Sequence, residues 1–244
     1  MQPLFTGRYR VGLAIGPADV ACALALREQV FRSLPGRPGP DSDGWDGRCD
    51  HVVITDSRSG VLVGCFRMLP LTGREIHTSY SAQFHDLEAF SKMPGLLVEV
   101  GRFCTAPGFR DPDVLRLALA AMMLQAEGAA LLFGCASFAG ADPALHHTAL
   151  SSLAAKHRAP AHHISGKPLQ HAVPLPPPDP DASPAGLPPL LRAYLGLGAW
   201  VSHQAVIDRD LDTLHVLVGV ETARIPPARL RSLRTLAAAA SVPG

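Results

Sequence analysis

Paired cysteines are missing from this sequence: Cys22, Cys49, Cys65, Cys104 and Cys135 stand singly, with no C-x-x-C. That argues against a disulfide framework, and single thiols set in apolar runs suit a reducing cytoplasm. Charge is also scarce. Only 18% of residues are charged and the formal net charge is +1, so there is no overall pull towards nucleic acid, and no nucleic-acid partner is expected. No apolar run approaches the roughly 18 residues needed to cross a bilayer. The first residues show no basic stretch followed by an apolar one. Neither export nor a membrane span is therefore expected, and the expected location is cytoplasmic. No repeat period is visible.

What is present is a globular composition, 47% apolar over 244 residues, enough for one large α/β domain spanning 1–244. Arg8 to Ala14 alternates as a strand. Pro17 and Asp19 then open a helical pattern that runs to about Ser33, Pro being tolerated and Asp favoured in a first turn. Pro35 to Gly44 is a loop by composition. His51 to Asp56 and Val61 to Leu69 read as a hairpin around Asp56-Ser57-Arg58-Ser59-Gly60.

Leu96 to Cys104 is a further strand, and Asp111-Pro112 caps a helix ending near Gly128. Leu131 to Phe138 and a helix begun by Asp142-Pro143 repeat the unit. The prolines of 173–189 predict a loop with neither ladder nor helix. A short helix (Leu190 to Leu197) and strands Ala199 to Ile207 and Thr213 to Val220 follow. The tail sets Arg224, Arg229, Arg231 and Arg234 among helically spaced Leu230, Leu233 and Leu236.

Several charges break these patterns. Arg27 falls in the apolar stripe Val20, Ala23, Leu24, Val30, Phe31, and Arg67 lies on the strand face of Val61, Val63, Cys65 and Leu69. Each is either paired with a structural acid or aimed at a pocket where a guanidinium holds a carboxylate. Asp43, Asp46 and Asp50 share one side if the segment makes a helical turn, and are then either a site for an ammonium group or a solvated, capping turn. Without a bulge, Leu97, Glu99 and Phe103 share one strand face, and Val98, Val100 and Arg102 the other. Glu99 is thus an acid in an apolar strand. It is either a general base or half of an ion pair with Arg67 or Arg102.

Other chemistry is weaker. His146, His147, His157, His162, His163 and His171 show no acidic or cysteine partner at ligand spacing, so no metal is expected. Ser137 follows Cys135 in GCASFAG, which is not a G-x-S-x-G elbow.

The strings LLVEVGRFCTAPGFR (Leu96 to Arg110) and FGCASFAGADP (Phe133 to Pro143) resemble the ornithine N-acyltransferases that make lyso-ornithine lipid, relatives of the acyl-homoserine-lactone synthases in the GNAT class. REQVF (Arg27 to Phe31), the aspartates ending in CDH (Cys49 to His51) and GCFRMLP (Gly64 to Pro70) match in the same order. LPPLLRAYLGLGAW and AVIDRDLDTLHVLV carry the likeness to about Ile225.

This resemblance implies a GNAT-like mixed sheet flanked by helices and transfer of a long, typically 3-hydroxylated acyl chain from acyl carrier protein to the α-amine of L-ornithine. It implies Glu99 as base, with Arg102, Arg67 and Arg27 for the ornithine carboxylate and for orienting Glu99. Phe31 belongs to the substrate side, and Asp43, Asp46 and Asp50 suit the side-chain ammonium. Phe103, Cys104 and Thr105 occupy the splayed strand whose N–H groups meet the thioester, with Arg110 and Ser137 on the donor side. No cofactor is implied beyond the carrier's phosphopantetheine.

The turn GFRDPDVL favours that donor, because Pro112 removes an N–H and Asp111 and Asp113 repel a pyrophosphate. Arg110 and Arg116 are placed to meet the acidic carrier. The same residues also fit another amino acid acceptor, or a non-catalytic module that holds acyl carrier protein or lipid. The Arg-Leu tail is either a helix packed on its own domain or a peripheral membrane contact for releasing an amphiphilic product.

Overall fold

The computed structural model describes residues 2–32, 39–163 and 170–240. Ser33, where the first helical pattern was expected to end, and the start of the Pro35–Gly44 loop lie outside them. The strands are β1 (Leu4–Thr6), β2 (Tyr9–Leu13), β3 (Asp50–Asp56), β4 (Leu62–Thr72), β5 (Leu96–Thr105), β6 (Ala129–Ala139), β7 (Ala172–Pro174), β8 (Trp200–Asp208) and β9 (Thr213–Glu221). The helices are α1 (Pro17–Phe31), α2 (Pro112–Gln125), α3 (His147–Lys156), α4 (Pro189–Leu195) and α5 (Pro227–Ala240). The chain divides into two compact units: Met1–Leu69, Val100–Gly128 and Pro227–Gly244 form the first, Pro70–Glu99 and Ala129–Pro226 the second. Strands β4 and β5 each begin in one unit and end in the other.

In the first unit β1, β2, β3 and β4 pair antiparallel in sequence order. The β3–β4 turn is local chemistry: Gly60, at φ 72°, donates its N–H to Asp56 O at 2.8 Å, and Asp56 Oδ1 accepts from Arg58 N–H. Val53 and Cys65 pack with Cys104 of β5 against Ala23 and Leu26 of α1. The other face carries Ile54 and Gly64, and a Cβ added to Gly64 would lie 3.5 Å from Val114 of α2. Helices thus cover both faces, as a strand rich in buried apolar residues requires. Helix α5 packs against α2 and β1; Leu230, Leu233 and Leu236 are half-buried while Arg229, Arg231 and Arg234 are exposed. The leucines serve packing within the unit.

The second unit orders its strands β5-β6-β9-β8-β7, with β5–β6 parallel and the others antiparallel, a mixed sheet. Phe90 anchors its core against Phe133 and Trp200. Two sequence expectations need correction. Pro174 does join a ladder, pairing with Gln204, because β7 is an edge strand where a missing N–H costs no hydrogen bond. Asp142 caps Ala144 N–H as expected, but the segment opens as a 3-10 turn, Pro143–His146, before α3 begins. The first strand β1 has no alternation long enough to be read in sequence.

Candidate active site

Arg27 and Asp41 lie at the centre of an ionic array in the first unit, both side chains 1% exposed. Arg27 Nε donates to Asp41 Oδ2 at 2.7 Å and its Nη1 to Asp46 Oδ1 at 2.5 Å. Arg67 Nη1 donates to the same Asp46 oxygen, Oδ1, at 2.6 Å, and Arg67 holds Asp43 with both terminal nitrogens, at 2.6 and 2.8 Å. Arg102 reaches Asp41 at 3.1 Å and Asp43 at 3.7 Å, and its guanidinium lies over the Phe31 ring, 5.8 Å from the centroid. Asp43, 19% exposed, is the most open of these acids.

The inward arginines read from periodicity therefore do pair with acids, as charges removed from water must. Asp41, the deepest carboxylate, has no pattern in the sequence to mark it. The helical turn expected across Asp43–Asp50 is only a 3-10 turn at Asp46–Arg48, and Asp50 starts β3, where its carboxylate accepts from Gln125 Nε2 at 2.9 Å.

The electrostatics follow from this packing. Burial works to raise the Asp46 carboxyl, but Arg27, the Asp43 N–H and Arg67 outweigh it and hold the pKa at about 2. Burial likewise opposes Asp43, and the Arg67 hydrogen bonds bring it below its ordinary value. Burial lowers the Arg67 pKa less than Asp43 and Asp46 raise it, so that guanidinium stays charged. Asp43, Asp46 and Arg67 therefore all carry their charges at physiological pH.

Glu99 ends the second unit's part of β5 and is 5% exposed. Its carboxylate accepts two main-chain N–H groups, Tyr80 on Oε2 at 2.9 Å and Ser81 on Oε1 at 2.6 Å. They come from the 3-10 turn Ser81–Gln83 and the residue before it. Three positions on, Arg102 has φ 55°, so the strand alternation assumed from the sequence breaks there. Beyond the break, Cys104 turns into the core under α1 with its Sγ 3.6 Å from Cys65 Sγ. That hydrogen bond and burial push the Cys104 thiol well up, leaving it an inert hydrophobe. Phe103 packs near Phe66, Thr105 Oγ1 donates to Phe109 O at 3.4 Å, and Arg110 and Ser137 are exposed.

At the start of α2, Asp111 Oδ1 accepts from Asp113 N–H at 3.0 Å and Oδ2 from Tyr9 Oη at 2.7 Å. Those donors, the Asp113 amide first, keep the Asp111 carboxyl below its ordinary value. The helix end therefore holds a fixed negative charge where an anion would need N–H groups.

Residues 26–120 match the acetyltransferase (GNAT) domain. The L-ornithine N(alpha)-acyltransferase of Rhizobium meliloti (strain 1021) is 32% identical over 87% of this chain and 80% of that protein. This chain belongs to the L-ornithine N(alpha)-acyltransferase family. The family member of Brucella abortus (strain 2308) is 31% identical, over 90% of this chain and 86% of that protein. Among solved structures, an N-acyl amino acid synthase from uncultured soil microbes aligns over 92% of this chain and 100% of that one, with 9% identity and a TM-score of 0.46. The GNAT fold implied by the sequence strings is thus the fold of this acyltransferase family member, with its mixed sheet and flanking helices.

A second polar cluster escaped the sequence reading. His85 Nε2 lies 3.2 Å from His215 Nδ1, and Cys135 Sγ lies 3.6 Å from Ser81 Oγ. Burial depresses both imidazoles, His85 to about 3 and His215 to about 4, so both are neutral at physiological pH. Tertiary structure also gives His162 and His163 the acidic neighbour, Glu221, that linear spacing did not reveal.

Proposed function

We propose that this protein transfers a fatty acyl group, typically 3-hydroxylated, from acyl carrier protein to the α-amine of L-ornithine, giving lyso-ornithine lipid. The observation that carries this reading is the 32% identity, across most of both chains, to a protein named L-ornithine N(alpha)-acyltransferase. In this reading the neutral amine attacks the thioester carbonyl, Glu99 takes the amine proton directly or through water, and main-chain N–H groups at Phe103 to Thr105 receive the developing oxyanion. The grip of the Tyr80 and Ser81 amides suits Glu99 to this task by fixing its carboxylate in one orientation. Arg102 and Arg67 take the ornithine carboxylate, while Asp43, the most open acid, meets the side-chain ammonium. Arg27, Asp41 and Asp46 hold that lattice rigid, and Phe31 supports Arg102.

The donor is carrier-bound phosphopantetheine because the Asp111 carboxylate at the head of α2 disfavours a pyrophosphate. Exposed Arg110 meets the acidic carrier, and the exposed arginines of α5 give a charge-only contact with anionic lipid. No helix among the described residues is long and apolar enough to cross a membrane. The test is mass spectrometry of lipids from cells expressing the chain and fed labelled ornithine: acyl-ornithine carrying the label is expected. Its absence, or an acyl conjugate of another amino acid in its place, overturns the acceptor assignment.

A further inference from the structure

Two buried histidines and one cysteine meet in the second unit far from one another in sequence. Cys135 on β6 pairs with Leu217 of β9, and Ser137 with His215. Directly paired residues share a face and alternate residues return to it, so Cys135 and His215 are diagonal neighbours on one face. His85 reaches that face from the turn after Ser81–Gln83, its N–H donating to Ser81 O at 2.9 Å. One ring nitrogen of His85, one of His215 and the Cys135 Sγ all lie within 4.8 Å of one another.

We propose that His85, Cys135 and His215 form a binding site for a single zinc-class divalent cation. The closest pair already has the spacing of a coordination edge. Two nitrogens bound at about 2.0–2.1 Å to a tetrahedral zinc stand about 3.4 Å apart, against 3.2 Å between His85 and His215. One thiolate and two neutral imidazoles are the soft and borderline donors that select zinc over magnesium or calcium. The sheet face opens outward one register further on, where Ser137 is exposed and Cys135 half-buried, which gives the ion an entry path and a fourth position for water.

Coordination replaces the hydrogen bond between the two imidazoles: the donor ring exchanges its facing proton for one on its remote nitrogen, the acceptor ring already carries its proton there, and the Cys135 thiol releases one proton to solvent as the metal–sulfur bond forms. The ion then ties the Tyr80–His85 turn to β6 and β9, the turn whose amides hold Glu99. The other histidine cluster is less suited, because Glu221 is also held by Arg224 at 3.1 Å and His162 is exposed.

The experiment is a titration of the chelator-stripped full chain with Co²⁺, then Zn²⁺. One equivalent of Co²⁺ is expected to give the visible bands of a four-coordinate ion and a near-ultraviolet thiolate charge-transfer band, and Zn²⁺ to bleach both. Cys135→Ser is expected to remove the charge-transfer band. His85→Gln, or His215→Gln if that variant folds better, is expected to weaken Zn²⁺ binding by on the order of 10-fold or more, the loss that even an outer partner's removal typically causes. His162→Gln leaves the spectrum as it was. Absence of these bands in the native chain, or bands unchanged in Cys135→Ser and His85→Gln, overturns the site. Since the readout is metal uptake, that outcome is independent of whether the chain acylates ornithine.

Discussion

The main-chain N–H of Ser81 points at Glu99 Oε1 from 2.6 Å, so the turn that carries Ser81 dictates where the buried carboxylate stands. As the proposed base, Glu99 is worth about 10²–10⁴ in rate. Glu99→Gln keeps an acceptor oxygen for one of the two amides and cannot take a proton. Acyl-ornithine formation is expected to fall by about that factor while circular dichroism stays unchanged; an undiminished rate removes Glu99 from the mechanism.

Arg27 presents the opposite case, a charge whose proposed work is structural. Replacing it by Met leaves Asp41 and Asp46 without their shared counter-ion, and breaking a buried pair this way typically costs about 3–5 kcal/mol. Equilibrium urea unfolding is expected to show a loss of that order. A loss under about 1 kcal/mol would place the pair in the weak class of exposed bridges.

Acid should dissolve the same lattice. Asp46, near 2 in the folded chain against an ordinary 3.8, and Asp43, also lowered, bind protons less readily folded than unfolded. Their contribution is therefore complete above the unfolded value and is lost as pH falls from about 4 towards 2. Melting temperatures measured from pH 6 down to pH 2.5 are expected to drop less steeply in Asp46→Asn than in the native chain, from a lower start. Parallel curves refute the assignment.

Trp200 crosses over Gly219, its pairing partner on β9, and a Cβ placed there would lie 2.1 Å from a ring carbon. Gly219→Ala is expected to cost about 1–3 kcal/mol through overpacking. Tryptophan fluorescence during thermal unfolding measures it, and an unshifted midpoint contradicts the close approach.

If the donor arrives on an acidic carrier, Arg110 contributes mainly to encounter. Arg110→Glu is expected to lower kcat/KM for acyl carrier protein several-fold at low salt, with the deficit shrinking as salt rises and kcat unchanged. A deficit that ignores ionic strength assigns Arg110 to something other than steering.

Much of the architecture was legible because it is local. Asp111 and Asp142 each cap the amide two residues on, whatever the rest of the chain does. The Asp56–Gly60 turn and the out-of-place charges at Arg27, Arg67 and Glu99 likewise follow from period and turn chemistry. Where the reading failed, a longer-range arrangement intervened. Pro174 entered a ladder only because β7 is an edge, and the alternation of β5 ended at Arg102 because the backbone turns to φ 55° there.

By itself the sequence determined the order of the longer strands and helices, though not β1 or β7, the inward charges and, through its shared strings, the acyltransferase family. Periodicity reports that a side chain faces inward, not what it meets. The tertiary structure alone decided that Asp41, unmarked in sequence, anchors Arg27, and that two main-chain amides from a turn 18 and 19 residues upstream grip Glu99. It alone brought His85 to His215 across 130 residues. Pairings of that kind depend on which strands become neighbours, and that is settled when the whole chain packs.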